Sequence, residues 1–297
     1  VAAAIGDFVL EQGGTLGPTD LATYESTPRA PIRMPFRGTE VLTNPPPSSG
    51  GTLIAYALGL LERMGESSGP EQLVAAMGAA GAVRGADFAE ALHGEGLEAA
   101  LLDPAGLDVA AADLLGSTTH ISVLDAEGMC ASVTCSNGSG SGVLVPGAGV
   151  ILNNMLGEED LNPLGFHRIP PGRRVSSMMA PTVVLREGEI ELGLGSAGSN
   201  RIRSAILQTI VRVVEQRMGA GDAVRAPRLH FEQGVVQAEP GIEEAALARL
   251  EARGVAVARR PEINLFFGGV QAVARDRASG AYSGGGDPRR GGAVAVA

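Results

Sequence analysis

Two adjacent threonines, Thr118 and Thr119, stand between the polar turn Gly116-Ser117 and the run His120-Ile121-Ser122-Val123. A threonine at a strand start has an ordinary explanation in β-propensity. It also has a chemical one. If the chain opened before Thr118, that one residue would carry both a hydroxyl nucleophile and an α-amino base. An α-amino group titrates at about 7.7–8.0, so much of it is unprotonated near neutral pH. A second stretch able to do chemistry is Gly195-Ser196-Ala197-Gly198-Ser199-Asn200, a glycine-rich turn between an expected strand and an expected helix. Such a turn presents free backbone N–H groups at a helix N-terminus, a natural place for an anion or an oxyanion. The alternative there is a close-packed turn with no ligand. Asn137-Gly138-Ser139-Gly140-Ser141-Gly142 has no following Lys and opens no clear helix, so it reads as a flexible loop lining a pocket rather than a phosphate cradle.

Other chemistries find little support. The four histidines are scattered at 93, 120, 167 and 230, with no HExxH or CxxC spacing, so no metal and no cofactor is expected. Cys130 and Cys135 would face opposite sides of one strand, which argues against a disulfide between them. A formal net charge of −10 argues against nucleic acid or an anionic membrane surface as partner. No apolar run is long enough to span a membrane. The composition is globular, with 44% hydrophobic and 19% charged residues. The 43 glycines are interspersed with apolar runs, which points to tight turns rather than disorder.

Several elements must position these residues. Residues 1–12 read as the end of an amphipathic helix stopped by Gly13-Gly14. Because the chain starts at Val1, already in helix and without Met, it is expected to continue upstream. A short helix from Gly17 to Tyr24 is expected to be capped by Thr19 or a neighbour. Short strands are expected at Ile32 to Phe36 and Glu40 to Leu42. Pro45-Pro46-Pro47-Ser48-Ser49-Gly50-Gly51 precedes an apolar helix, Leu53 to Met64, and is expected to pack that helix closely on a sheet. Glu71 to His93 reads as helix with a weak point at Gly78 to Gly81, and Leu97 to Leu115 as more helix and turn. Thr118 to Cys135 reads as a hairpin, and Val150 to Leu152 as a short buried strand. Val183 to Arg186 and Ile190 to Leu194 flank a turn. A long helix then carries Ile202, Ala205, Ile206, Ile210, Val213, Val214 and Met218 on one face and stops at Gly219. Strands near Leu229, Val235, Val255, Val270 and Val294, with helices at Asp222 to Arg225 and Glu243 to Arg253, complete a layered α/β pattern.

Taken together, these blocks resemble the γ-glutamyltranspeptidases, a family of N-terminal-nucleophile hydrolases. Thr118 to Val123 resembles the start of the family's small subunit. The likeness continues through Gly149 to Asn154, Arg174 to Thr182, Gly195 to Arg201, Ala226 to His230 and Asp287 to Arg289. Upstream, Pro45 to Gly51 is similar to the large subunit's Pro-Pro-Pro-Ser-Ser-Gly-Gly. The resemblance implies an αββα sandwich, truncated at its N-terminus. Residues 1–117 would be the later part of the large subunit and 118–297 the small subunit, in one intertwined domain. It implies self-cleavage between Ser117 and Thr118 into a heterodimer, with Thr118 as nucleophile and its new amine as base. Ser136 would support the nucleophile. Gly198 and Ser199 would supply oxyanion N–H groups. Asn137, Glu158, Ser176 and Ser177 would bind substrate. The implied reaction is γ-glutamyl transfer or hydrolysis, from glutathione or another γ-glutamyl amide to water or an amino-acid or peptide acceptor. The compartment suggested by the family is periplasmic or extracellular.

The sequence also departs from the family pattern. The loop from Ser136 to Gly142 is about two residues shorter, Met155 stands where a glutamine is usual, and Glu158 replaces an aspartate. Ser199 replaces a glycine but keeps its N–H. The family's carboxylate-binding arginine would lie upstream of Val1. These departures keep open an acylase of the same fold with another amide substrate, such as a β-lactam side chain. An unprocessed, inactive chain is the second alternative.

Overall fold

The computed structural model describes residues 1–65, 67–94, 97, 118–162, 164–277 and 279–296. The first part comprises α1 (Ala2–Glu11), α2 (Pro18–Thr23), β1 (Ile32–Phe36), β2 (Thr39–Thr43), α3 (Ser49–Met64), α4 (Pro70–Ala82) and α5 (Ala86–Ala91). From Thr118 follow β3 (Thr118–Leu124), β4 (Cys130–Ser136), β5 (Leu144–Val145), β6 (Val150–Ile151), β7 (Thr182–Arg186) and β8 (Glu189–Ala197). Then come α6 (Arg201–Val214), α7 (Ala220–Arg225), β9 (Leu229–Glu232), β10 (Val235–Ala238), α8 (Glu244–Ala252), β11 (Ala256–Arg259), β12 (Gly269–Arg275) and β13 (Tyr282–Gly286).

The main sheet has the order β1-β2-β7-β8-β12-β13, antiparallel throughout. Burial alternates along β1, where Ile32, Met34 and Phe36 are buried between exposed Arg33 and Pro35. Leu192 and Leu194 of β8 and Val270 and Ala272 of β12 join the same core. Against it lie α3, with Leu53, Ile54, Leu58 and Leu61, and α6, with Ile202, Ile206 and Ile210. Ser48 caps α3 by accepting from Gly51 N at 3.4 Å. The glycines after it let the helix start press on neighbouring backbone. A Cβ at Gly50 would collide with the Met178 carbonyl, and one at Gly51 with that of Asn44.

The hairpin β3–β4 lies on the other face of the sheet, over β8 and β12. It pairs seven rungs, from Thr118 opposite Ser136 to Leu124 opposite Cys130. Its inward side chains are mostly polar: His120, Ser122, Ser132 and Thr134. Its outward ones, Ile121, Val123 and Val133, are 58%, 54% and 50% exposed. Thus helices, sheet and hairpin form three successive layers. A smaller sheet, β11-β10-β9, packs with α8 around Leu229, Val236, Leu247 and Leu250. Among the described residues, no helix is long and apolar enough to cross a membrane.

The Ala226–His230 and Asp287–Arg289 segments meet in a buried ion-pair cluster. Arg228 donates to Asp287 Oδ2 at 2.6 Å, and Arg289 to Glu239 Oε1 at 2.7 Å and Asp287 Oδ1 at 3.2 Å. Asp287 also accepts from Val270 N at 2.8 Å, so the cluster ties the chain's end to β12.

Several expectations need correction. Gly17, not Thr19, caps α2, with its N–H bonded to Asp20. As expected, α3 packs closely on the sheet, against β1 and β2, and its first turn also meets the loop at Ser177 to Met179. Helix α4 runs through Gly78, where the Phe231 ring leaves a Cβ only 3.0 Å, and breaks after Ala82 instead. Strand β6 is two residues long, and Ile151 is 53% exposed rather than buried. Helix α6 stops at Val214, because Arg217 turns left-handed before Met218. Val294 lies outside any strand; the last strand is the glycine-rich β13. The helix and turn expected from Leu97 to Leu115 lie outside the described residues, Leu97 apart.

Candidate active site

The hairpin's open end sets the site. The Thr118 and Ser136 hydroxyls, paired across the first rung, are 3.0 Å apart. Ser136 Oγ also accepts from Gly138 N at 3.0 Å, which fixes the direction of its lone pairs. Ser117 lies outside the described residues.

Close packing on β8 aims this end. A Cβ at Gly193 would collide with Cys130 Sγ, and one at Gly195 with the His120 ring. Cys130 is the partner of Leu124, so β3 runs antiparallel to β8 across the layers. Thr118 is two residues before His120 on the same face and continues this course towards Ala197 and Gly198. His120 holds the layer contact, with Nδ1 2.8 Å from Thr134 Oγ1 and Nε2 2.8 Å from Ser122 Oγ. Burial pushes its pKa down to about 4, so the ring is neutral at pH 7.

After β8 comes the turn to α6. Gly198 and Ser199 have φ of 125° and 52°. Arg201 N and Ile202 N donate to the carbonyls of Gly198 and Ser199, each at 3.0 Å. The N–H groups of Gly198 and Ser199 precede these first helical bonds, as orphan donors at a helix start do. Two arginines follow in the first turn of α6. Arg201 lies 4.7 Å from the Phe266 ring centroid, and burial holds the Arg203 guanidinium down to about 10.

A bridge of two single-turn helices, residues 153–162, links the hairpin loop to this turn. Asn154 Oδ1 accepts from Ser139 N at 2.7 Å and Gly140 N at 3.2 Å, so the glycine-rich loop is tied down by its amides. Buried Glu158 accepts from Ser139 Oγ at 2.9 Å. Gly138, at φ 64°, has no room for a Cβ, which would sit 2.6 Å from Glu158 Oε1. Asp160 accepts the Ser199 hydroxyl. Arg84 donates to Asn200 Oδ1 at 2.8 Å and to the Asp160 carbonyl at 2.7 Å.

The expected site residues thus fall into groups. Thr118 and Ser136 are joined, and Glu158 faces the loop beside them. Gly198 and Ser199 form the turn. Asn137 is exposed and contributes its carbonyl, which accepts from Gly140 N at 3.0 Å and Asn154 N at 3.2 Å. Ser176 lines a cleft with Leu92, His93, Leu161 and Asn162. The Ser177 carbonyl accepts from Ser49 Oγ at 3.2 Å and Gly50 N at 3.2 Å. Asp160, Asn154 and Arg84 were not anticipated as site residues. Asn154 ends the Gly149 to Asn154 block and Asp160 closes the acidic run Glu158-Glu159-Asp160, whereas Arg84 follows an Ala/Gly-rich helix with no signal. Among the described residues, no group of three or more His, Cys, Asp or Glu could hold a metal. Chemically, a hydroxyl beside a second hydroxyl and a turn whose N–H groups precede the first helical bonds suits attack on a carbonyl.

A family model described as gamma-glutamyltranspeptidase matches residues 1–112 and 99–297. The chain is 36% identical over 296 residues to the acylase ACY 1 proenzyme of Pseudomonas sp. strain SE83, covering 91% of this chain and 52% of that one. It is 28% identical over 299 residues to the glutathione hydrolase proenzyme of Escherichia coli strain K12, covering 87% and 52%. The crystal structure of a cephalosporin acylase from Bacillus halodurans is similar at a TM-score of 0.78 and 22% identity, covering 97% of this chain and 56% of that one; this is a likeness of fold. The chain spans about half the length of the curated relatives it matches.

Proposed function

The chain belongs to the γ-glutamyltranspeptidase family and has its N-terminal-nucleophile-hydrolase fold, and from that premise we propose that it hydrolyses or transfers the γ-glutamyl group of amides such as glutathione through an ester on Thr118. The observation that carries this reading is the 3.0 Å approach of the Thr118 and Ser136 hydroxyls at the hairpin end that points towards the Gly198–Ser199 turn. Maturation comes first. Thr118 Oγ1 adds to the Ser117 carbonyl, the Ser117–Thr118 peptide bond breaks, and water hydrolyses the resulting ester. Residues 1–117 and 118–297 then belong to separate subunits, and Thr118 carries a free α-amine. In turnover that amine takes the hydroxyl proton as Oγ1 attacks the γ-glutamyl carbonyl. The N–H groups of Gly198 and Ser199 receive the oxyanion, the amine returns the proton to the leaving amine, and water or an amino acid takes the acyl group. Glu158, Asn137, Ser176 and Ser177 bind the glutamyl portion.

A second reading, an acylase for another amide such as a β-lactam side chain, is favoured by the higher identity to the relative named an acylase. Met155, where the family has a glutamine, agrees with it.

The test uses the full-length protein. Thr118→Ala abolishes both splitting and turnover, whereas Thr118→Ser retains part of each. N-terminal sequencing of the smaller piece that begins anywhere other than Thr118 refutes the assignment. A panel of γ-glutamyl-p-nitroanilide and β-lactam amides decides between the two substrates.

A further inference from the structure

Ser199 occupies a backbone region that a side chain disfavours. Its φ is 52°, in the left-handed region, where glycine sits freely and serine does not. Gly198 before it is itself at φ 125° and is pressed on Gly268, whose Cα would lie 2.7 Å from a Cβ at 198. The group that holds Ser199 is on the 153–162 bridge. The Ser199 hydroxyl donates to Asp160 Oδ2. Asp160 is 9% exposed, and among the described residues its Oδ1 is buried without a hydrogen-bond partner. The carboxylate is therefore committed to Ser199 through a single oxygen. Asp160 is anchored in turn, because Arg84 donates both to its carbonyl, at 2.7 Å, and to Asn200 Oδ1, at 2.8 Å. One half-buried guanidinium thus joins the residue that holds Ser199 to the residue that follows it.

We propose that Asp160 is a positioning residue for the acyl site: by holding the Ser199 hydroxyl it keeps residue 199 left-handed and its peptide N–H aimed at the carbonyl oxygen of the substrate. The inference rests on the proposed role of the Gly198–Ser199 turn as the oxyanion site. A generic packing role would not depend on which residue stands at 199. Positioning does. With glycine at 199 the left-handed turn needs no side-chain anchor, and Asp160 becomes a buried acceptor with no donor. Removing both partners of a buried hydrogen bond is less costly than removing one.

The experiment is a double-mutant cycle in the full-length protein, assayed on γ-glutamyl-p-nitroanilide or whichever amide the parent hydrolyses. Asp160→Ala is expected to lower kcat about 10–100-fold while KM moves less than about threefold, a loss on the scale of a misaimed oxyanion donor. Asp160→Asn, which keeps an acceptor oxygen, recovers most of the loss. In the Ser199→Gly background, whatever its own rate, adding Asp160→Ala changes kcat less than about threefold and raises the thermal midpoint. Crystal structures give a readout independent of turnover: φ at 199 leaves the left-handed region in Asp160→Ala and stays there in the double variant. An equal loss of kcat from Asp160→Ala in both backgrounds overturns the proposal, as does a Ser199 that remains left-handed and unmoved in Asp160→Ala. A parent inactive on every amide refutes the proposed function instead, and the crystallographic comparison still decides the role of Asp160.

Discussion

Gly195 is where the hairpin and the main sheet touch, and Gly195→Ala tests whether that contact sets the site. The new Cβ would lie 2.7 Å from His120 Cγ, inside any real carbon contact. The backbone of β8 cannot yield, because β7 and β12 pin it from both sides. The ring must move, and with it the two hydrogen bonds to Thr134 and Ser122, each 2.8 Å. Overpacking a core costs about 1–3 kcal/mol, and each ring hydrogen bond adds about 1 kcal/mol. The expected loss is thus about 3–5 kcal/mol, or roughly 6–20 °C in thermal midpoint at 2–4 °C per kcal/mol for a domain of this size. Calorimetry on the full-length protein measures it, and kcat should fall as well, since lifting the hairpin moves Thr118 from the Gly198 turn. Removing the ring makes room for the methyl, so Gly195→Ala/His120→Ala should melt higher than the sum of the single losses. A Gly195→Ala protein that melts within about 1 °C of the parent with unchanged kcat refutes the reasoning.

Further expectations concern pH, substrate and the buried charges. His120 has a folded pKa of about 4 against an ordinary 6.5, so the unfolded chain binds more protons between these values. Its contribution to stability is therefore full above pH 6.5 and is lost as pH falls towards 4, about 3 kcal/mol in all, so His120→Asn should flatten the acid limb of a stability profile measured by denaturant titration. Ser176→Ala/Ser177→Ala should raise KM for γ-glutamyl-p-nitroanilide more than it lowers kcat, since hydrogen bonds to a charged carboxylate are worth about 1.5–3 kcal/mol; unchanged kinetics would favour the acylase reading. Arg289→Met leaves Glu239 and Asp287 short of a partner and should cost about 3–5 kcal/mol by thermal unfolding, whereas a loss below about 1 kcal/mol would show that Arg228 alone balances both carboxylates.

Much of this architecture was legible as period-two alternation. Ile32 to Phe36 and the run from Thr118 to Cys135 carry it plainly, and both became strands. Where glycine replaces the alternating side chains the signal vanishes. Strand β13 is Tyr-Ser-Gly-Gly-Gly, and its glycines are set by neighbours on other elements: a Cβ at Gly285 would come within 2.7 Å of Val224, and one at Gly284 within 2.6 Å of Val294 beyond the strand. Gly78 misleads in the opposite sense, since it looks like a helix breaker and instead leaves space for Phe231. In the candidate site, Thr118 and the Gly198 turn could be chosen from local chemistry, whereas Ser136 came only from the family resemblance. Asp160 stood in a visible acidic run, but its partner is 39 residues away and its anchor, Arg84, 76 residues away in the other direction. Such partners are selected by tertiary packing, and local pattern carries no trace of them.

The seven-rung hairpin also imposes parity on the chain. Side chains on a strand alternate between two faces, so what separates Thr118 from His120 is an even number of steps and not merely a distance. Inserting one residue between them could leave the backbone rungs intact and the protein folded, yet Thr118 would point away from the sheet, onto the face that Ile121 and Val123 occupy. Inserting two would restore the face but carry the hydroxyl about 7 Å further along the strand. The hairpin thus tolerates neither an odd error nor an even one at its open end. The turn at Asp125 to Gly128 sits beyond the last rung and is the place where added length leaves the parity of Thr118 untouched.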